Sequence, residues 1–238
     1  MTTYVYGIAK SSHPDLPERS GGVGDPPRPV RTLRHGRLMA VVSEAPQELK
    51  PKRRDLIAHE AVLRLAGEKG TVLPLRFGSV SPDEETLTGV LTEREDHYLE
   101  RLEALEGKAE YNVKASHEEE AVLHQVLSDN PELRAMAEAN KAAGGGSYDQ
   151  KVQFGQQLAN AVKAREAEDA DLVRAALDGM AEEISPGPES TGWLTNLSFL
   201  VKRDRSDDFL AAVEKLRQER SHLVLTVTGP IPPYSFVE

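Results

Sequence analysis

The chain contains no cysteine, few aromatic residues and no long apolar segment. The missing thiols exclude disulfides, thiol nucleophiles and cysteine-ligated metals, and their absence fits a cytoplasmic protein. No apolar run approaches the ~18–20 residues that a membrane-spanning helix needs. The N-terminus also lacks the basic segment and the apolar run of a secretory signal. We therefore expect a soluble chain in the cytoplasm that has no membrane partner.

Acidic residues outnumber basic ones, and the formal net charge is −10. The imbalance is uneven, because residues 1–54 hold ten Lys/Arg against five Asp/Glu, whereas residues 55–238 hold 19 against 34. An acidic surface repels phosphate backbones, which argues against nucleic acid as the main partner. The one basic cluster, residues 50–54, is typical of a solvated approach to a helix. The alternative is a docking site for an acidic protein surface.

The apolar patterns predict two units of mixed secondary structure. Residues 1–106 show strands, a helix, a strand and a helix, and residues 107–238 show a strand, helices, a strand, a helix and a strand. We therefore expect an α+β protein of two domains with a boundary near Gly107. The second order suggests a modified ferredoxin-like fold, with a helical extension inserted at about residues 117–147.

The most informative segment of the first half is the short apolar run at residues 72–77, which glycines bound on both sides. We expect a buried strand there. Because proline cannot donate to a ladder, either this strand lies at a sheet edge or Pro74 points its missing donor outward. Arg76 interrupts the run, and it either lies at the exposed end of the strand or binds a partner or an internal carboxylate. Residues 82–105 follow as a predicted helix, with Ser81 as its N-cap.

Motifs for catalysis and for metal binding are missing or incomplete. No Gly-x-Ser-x-Gly elbow, phosphate loop or dinucleotide fingerprint occurs. His59-Glu60 begins a zinc-protease pattern, but Leu63 stands where the second histidine would have to share the helix face. His117 and His124 are seven residues apart on one predicted helix, too far to chelate one ion. We therefore predict no catalytic residue, no metal site and no cofactor, and we expect His59 to pack beside its helix and bond a neighbour.

Several segments together resemble one protein family. They are residues 4–8, 40–44, 58–60, 72–78, 107–114 and 229–237. The most specific are Leu-Pro-Leu-Arg-Phe-Gly at 73–78 and Gly-Pro-Ile-Pro-Pro-Tyr-Ser-Phe at 229–236. In this order, and over nearly the whole chain, they are similar to the gas vesicle protein F/L family. Ile231 departs from the family pattern, because an aromatic residue is common at that position.

The resemblance implies an accessory protein that is needed to assemble gas vesicles, the protein-walled, gas-filled compartments of some prokaryotes. It implies two α+β domains, the second a modified ferredoxin-like fold with extra helices. It also implies binding to the small hydrophobic shell protein and to other accessory proteins, in the role of a chaperone, a nucleator or a minor shell-associated component. No catalytic residue is carried over from the family.

Binding an apolar shell subunit requires an apolar patch on the acidic body of the protein. The candidate residues are Arg76, Phe77, Tyr234 and Phe236. The alternative is that all four only pack within their domains. The proline-rich tail, residues 229–238, is expected to be extended and to pack on its own domain, or otherwise on a partner.

Two other functions remain open at this point. One is a small-ligand-binding regulatory module, which rests on the analogy with ferredoxin-like sheets alone. The other is an acid/base enzyme that uses His59 and Glu60, for which a cleft holding both side chains would be the minimum requirement.

Overall fold

The computed structural model describes residues 1–17, 21–188 and 192–237. The chain divides into two compact units, of which unit 1 comprises Met1–Glu110 with Gly229–Glu238, and unit 2 comprises Tyr111–Thr228. This division differs from the expected one, because the C-terminal tail groups with unit 1. The prolines and glycines of residues 11–29 predict a surface loop. Residues 18–20 of this segment and Glu238 of the predicted tail lie outside the described residues.

Unit 1 is built on an antiparallel sheet that three helices accompany. Its strands are β1 (Thr3–Lys10), β2 (Arg31–His35), β3 (Leu38–Glu44), β4 (Val72–Pro74) and β5 (Val80–Ser81), and its helices are α1 (Arg53–Lys69), α2 (Glu84–Glu93) and α3 (Glu95–Ala104). The strand order is β2-β3-β1-β4, and β5 also pairs with β1. Strand β4 therefore lies at one edge of the sheet, and the edge position considered for Pro74 is confirmed.

The central strand β1 carries much of the core of unit 1, since every residue but its last is buried. A bulge between Val5 and Gly7 shifts its register against β3. A Cβ atom at Gly7 would lie 2.7 Å from Val72 Cγ1 and 2.8 Å from the Leu73 carbonyl oxygen. Only glycine therefore lets β4 come this close to β1.

The helix predicted over residues 82–105 is two helices, because the backbone leaves the helical conformation at Arg94. The prediction of Ser81 as N-cap is wrong. Ser81 belongs to β5, and its hydroxyl donates to the Asp83 carbonyl. Asp83 is the N-cap, and its carboxylate accepts a 2.7 Å bond from the Thr86 amide. At the positive end of the helix dipole, a negatively charged acceptor stabilises the helix more than a neutral hydroxyl does.

Unit 2 holds the longest helix and the second sheet, except for residues 108–110 and 229–231 of that sheet, which belong to unit 1. The elements are β6 (Lys108–His117), α4 (Glu119–Asp129), α5 (Pro131–Ala142), α6 (Tyr148–Asp178), β7 (Glu183–Pro186), β8 (Thr195–Lys202), α7 (Ser206–Glu219) and β9 (Leu223–Ile231). The strand order is β7-β8-β6-β9. The sequence Ser-Pro-Gly-Pro at residues 185–188 predicts a turn. This prediction is wrong for the first half of the segment, since β7 pairs with β8 there.

Three consecutive helices separate β6 from β7 and form a small core of their own. Buried Val122, Val126 and Leu133 form its centre, and half-buried side chains of α6 pack against them. Asn130 followed by Pro131 predicts the start of a helix. The structure confirms this start, because Asn130 caps α5 and its side chain accepts from two backbone amides. The chain is of mixed helix and strand, with two sheets. Across the described residues, no helix combines the length and the apolar character that a membrane crossing requires.

Candidate functional site

A buried chain of hydrogen bonds holds the segment 72–78 against helix α1. His59 Nε2 lies 3.0 Å from the Leu75 carbonyl oxygen, and His59 Nδ1 lies 2.9 Å from the Tyr4 hydroxyl. Because a carbonyl only accepts, Nε2 carries the proton and Nδ1 accepts from Tyr4. The Gly78 amide in turn donates to the Tyr4 hydroxyl at 3.2 Å. Three of the segments that carry the family resemblance, residues 4–8, 58–60 and 72–78, therefore meet in one polar cluster.

Burial favours the uncharged forms of His59 and Tyr4. Desolvation lowers the pKa of His59 and outweighs the bond to the Leu75 carbonyl, and it raises the pKa of Tyr4 to about 12. Both ring nitrogens of His59 are bonded, and the residue is only 4% exposed, which confirms it as a packing histidine. The acid/base alternative needs an accessible base beside Glu60, and His59 does not provide one.

The C-terminal tail is held by a buried carboxylate. Glu110 is 2% exposed, and its two oxygens accept from the Ser235 amide and the Ser235 hydroxyl, each at 2.8 Å. Arg101 Nη2 donates to the Phe236 carbonyl at 2.7 Å, and the Phe236 side chain is 2% exposed. Tyr234 packs against the core of unit 1, and burial raises its pKa well above the usual range.

The four residues predicted to bind partners therefore differ in accessibility. Arg76 is exposed, and its side chain has no hydrogen bond or ion pair within the described ranges. Phe77 is half-buried, and its ring meets the ring of His59 edge-on at 5.8 Å between centroids. Tyr234 is also half-buried, whereas Phe236 is enclosed. Partner binding by these four residues stays a prediction, and Arg76 is the member most open to a partner.

An apolar groove runs between α4 and α6, with a volume of about 430 Å³. Val122, Leu158 and Val162 lie along it, and Gly155 leaves its middle open because nothing approaches within 4 Å of the place of a Cβ atom. Glu119, Lys163 and Glu166 also line it and give it charged sides. Sequence reasoning missed this groove, although the apolar positions of both helices mark the faces that form it.

A second polar cluster lies within unit 2. Asp169 of α6 is 1% exposed, and its Oδ2 atom lies 2.9 Å from His117 Nε2, 3.0 Å from His222 Nε2 and 3.1 Å from Arg165 Nε. Burial acts to raise the pKa of Asp169, but the bonds from the two histidines and the arginine outweigh it and hold the pKa below its usual range.

This cluster corrects two sequence-based expectations. The highly charged sequence of residues 163–171, in the middle of α6, predicts a solvated stretch, yet Asp169 continues the buried face of that helix together with Val173 and Leu177. His117 and His124 are predicted to share one helix, yet His117 ends strand β6 while His124 lies in α4. The residue that approaches the same carboxylate as His117 is instead His222, a pairing that sequence spacing does not indicate.

Comparison with known proteins assigns the chain to a family. The sequence model of the family described as gas vesicle synthesis protein GvpL/GvpF matches residues 2–238. This chain belongs to the GvpL/GvpF family. Membership confirms the resemblance found in the sequence and implies a role in gas vesicle formation.

Relatives within the GvpL/GvpF family match the chain from end to end. Gas vesicle protein F of Streptomyces sp. (strain CB03234) is 63% identical over 100% of both chains. Gas vesicle protein L of the same strain is 28% identical over 98% of this chain and 91% of its own. This chain is therefore more similar to the F protein of that strain than to its L protein.

Solved structures of GvpF share the fold. The crystal structure of GvpF from Anabaena sp. PCC7120 aligns with a TM-score of 0.77 at 25% identity, over 100% of this chain and 98% of the other. The crystal structure of GvpF from Microcystis aeruginosa aligns with a TM-score of 0.73 at 25% identity, over 100% and 99%. The two-sheet arrangement of this chain is therefore shared with GvpF structures.

Proposed function

We propose that this protein acts without catalysis in gas vesicle assembly, by binding the small apolar shell subunit before that subunit enters the wall. A wall that excludes water from a gas space needs subunits with a large apolar face. Such a face is an aggregation hazard until the wall covers it. A partner that covers the face during assembly would act as a chaperone, and one that aligns several faces would act as a nucleator.

The groove between α4 and α6 is the observation that carries this proposal. Its apolar side chains offer a surface on which an apolar segment loses contact with water, which is favourable by about 25 cal/mol per Å² buried. The acidic surface of the chain keeps such a complex dispersed, because the net charge is −10. The shell subunit is the partner whose chemistry fits an apolar groove on an acidic protein.

Other accessory proteins are proposed to bind at the surface around Arg76. Its exposed guanidinium suits an acidic partner, and Phe77 beside it supplies partly accessible apolar area. Tyr234 and Phe236 are proposed to support this surface by holding the tail in place. An Arg76→Ala variant is expected to lose capture of accessory proteins while retaining the shell subunit. The Arg94→Ala variant, which removes another exposed arginine, at the junction of α2 and α3, serves as its control.

The groove is tested with a matched pair of glycine variants. Gly155→Glu places a carboxylate in the groove, and Gly89→Glu places one on the exposed face of α2, and nothing lies within 4 Å of either introduced Cβ. Both changes remove a glycine from a helix, and this replacement stabilises the helix by up to about 1 kcal/mol. Neither variant is therefore expected to impair folding.

The measurement is capture of purified shell subunit by each variant, in dilute and in high salt. We expect the unaltered chain and Gly89→Glu to retain the shell subunit in high salt, because apolar contacts resist screening. We expect Gly155→Glu to lose at least about tenfold in affinity, since burying an unpaired charge costs more than ~1.4 kcal/mol. Equal capture by the two glutamate variants would contradict the groove as the binding site.

We also infer that the two compact units are two domains and that the second is a modified ferredoxin-like fold. The chain order of unit 2 is strand, helices, strand, strand, helix, strand, and its strands lie in the order β7-β8-β6-β9. Numbered along the unit, this is the order 2-3-1-4, which supports the split βαβ arrangement. Helices α4 and α5 would then be the inserted extension.

A further inference from the structure

We propose that His117, Asp169 and His222 form a binding site for a divalent transition metal, best suited to Zn²⁺. One ligand atom from each residue, the two Nε2 atoms and a carboxylate oxygen, lies within 4.8 Å of the others. Imidazole nitrogen and carboxylate oxygen are the ligands that Zn²⁺ takes in cysteine-free sites. The geometry is therefore that of a three-residue site whose remaining position is left for water.

The distances are close to those of a metal centre. Ligand atoms about 2.0–2.1 Å from a tetrahedral zinc ion lie roughly 3.3 Å from one another. The two histidine nitrogens lie 2.9 and 3.0 Å from Asp169 Oδ2, and no two of the three ligand atoms are more than 4.8 Å apart. The histidine nitrogens must therefore approach each other by up to about 1.5 Å, a movement that the two rings share. Rotation of a side chain within one rotamer well covers a shift of this size.

Three separate elements hold the ligands in place. His117 is the last residue of β6, His222 directly precedes β9, and Asp169 lies on the buried face of α6. The Glu118 amide donates to the His222 carbonyl at 2.9 Å, so the backbone next to one histidine is tied to the other. Such preorganisation reduces the entropy that metal binding would cost.

A neighbouring cavity gives an ion a path to the site. It has a volume of about 520 Å³ and is lined by His117, Glu166 and Trp193 among others. His117 thus lies between solvent and the buried carboxylate. The fourth ligand position can be filled by water from this cavity.

The positive charge of Arg165 repels a metal ion bound at Asp169, and this repulsion provides a test. Its Nε atom lies 3.1 Å from the proposed ligand oxygen, while its Nη1 atom lies 2.9 Å from Asp129 Oδ2. Arg165 can therefore keep Asp129 as its partner when an ion takes over Asp169. Removing its charge by Arg165→Gln is expected to tighten Zn²⁺ binding roughly tenfold, because a cation repels the ion at short range.

The experiment is a calorimetric titration of the full, tag-free chain with Zn²⁺. We expect one equivalent to bind, and the His117→Ala and His222→Ala variants to lose at least about 100-fold in affinity. His124→Ala removes an exposed histidine of α4 and is expected to bind as the unaltered chain does. No saturable binding by the unaltered chain would overturn the proposal, and so would equal affinity in the His124 and His222 variants.

A second measurement on the unaltered chain avoids variants that fail to fold. Added Zn²⁺ is expected to shift the ring NMR signals of two of the seven histidines, with His117 and His222 as the assigned pair. Zn²⁺ that leaves these two signals in place would contradict the site. The test is independent of the shell subunit, so its failure would leave the proposed function standing.

Discussion

The bonds between Glu110 and Ser235 are predicted to fasten the tail with a measurable coupling energy. A hydrogen bond to a charged group contributes about 1.5–3 kcal/mol, and the solvent exposure of Ser235 reduces this contribution. Ser235→Ala removes the hydroxyl bond and leaves the amide bond, so we expect a loss of about 1 kcal/mol. Glu110→Gln weakens both bonds and is expected to cost about 2–3 kcal/mol. The double variant should show a coupling energy of about 1 kcal/mol.

The assay is urea unfolding of the four chains of this cycle. Far-UV circular dichroism reports on the whole chain, while the single tryptophan, Trp193, reports on unit 2. Glu110 and Ser235 belong to unit 1. We therefore expect the destabilisation to appear in the circular dichroism transition and not in the Trp193 fluorescence transition. Glu106→Gln removes only an exposed pair with Lys10 and should change stability by less than about 1 kcal/mol. A coupling energy within about 0.3 kcal/mol of zero would refute this account of the tail.

Three further predictions concern the folded state. Phe236→Ala should destabilise the chain by about 3–5 kcal/mol in urea, because the ring is enclosed, and a loss under 1 kcal/mol would contradict that placement. Burial lowers the pKa of His59, so the contribution of His59 to stability should be complete above pH ~6.5 and should fall as the pH drops from there towards the pKa of the folded state. Thermal unfolding of the His59→Gln variant should lack this pH-dependent loss of stability. A variant with the same pH profile as the unaltered chain would contradict the prediction. Asp83→Ala should cost about 1 kcal/mol by loss of the α2 cap, whereas Glu85→Ala, which changes an exposed residue of the same turn, should cost less.

The sequence predicts local structure best where caps and turns act within a few residues. The Asn130-Pro131 start of α5 is an example, because the asparagine side chain and the fixed proline backbone act on adjacent residues. Strand β7 escapes prediction because its residues Glu183–Pro186 are polar and gain their structure from pairing with β8. Helix α2 starts at a different residue than predicted because two potential caps, Ser81 and Asp83, compete over two positions.

Contacts between distant residues could not be predicted from spacing. Asp169 lies in a charged stretch of α6, and its burial depends on two histidines that are 52 and 53 residues away. The prolines predict an extended tail, which holds as far as Ile231 at the end of β9, but residues 234–236 form a 3-10 helix. The place of the tail in unit 1 depends on Glu110, which no local pattern connects with Ser235. Short segments carry the likeness to the GvpL/GvpF family, and three of them meet at the His59 cluster.

Gas vesicle formation in cells tests the central claim most directly. A gas-vesicle-producing host that lacks its own copy of this protein is supplied with the unaltered chain, with Gly155→Glu or with Gly89→Glu, at matched expression. Light scattering that collapses under pressure measures intact gas vesicles. We predict that the unaltered chain and Gly89→Glu restore this signal and that Gly155→Glu does not. Equal restoration by both glutamate variants would contradict the claim that the groove between α4 and α6 receives the shell subunit.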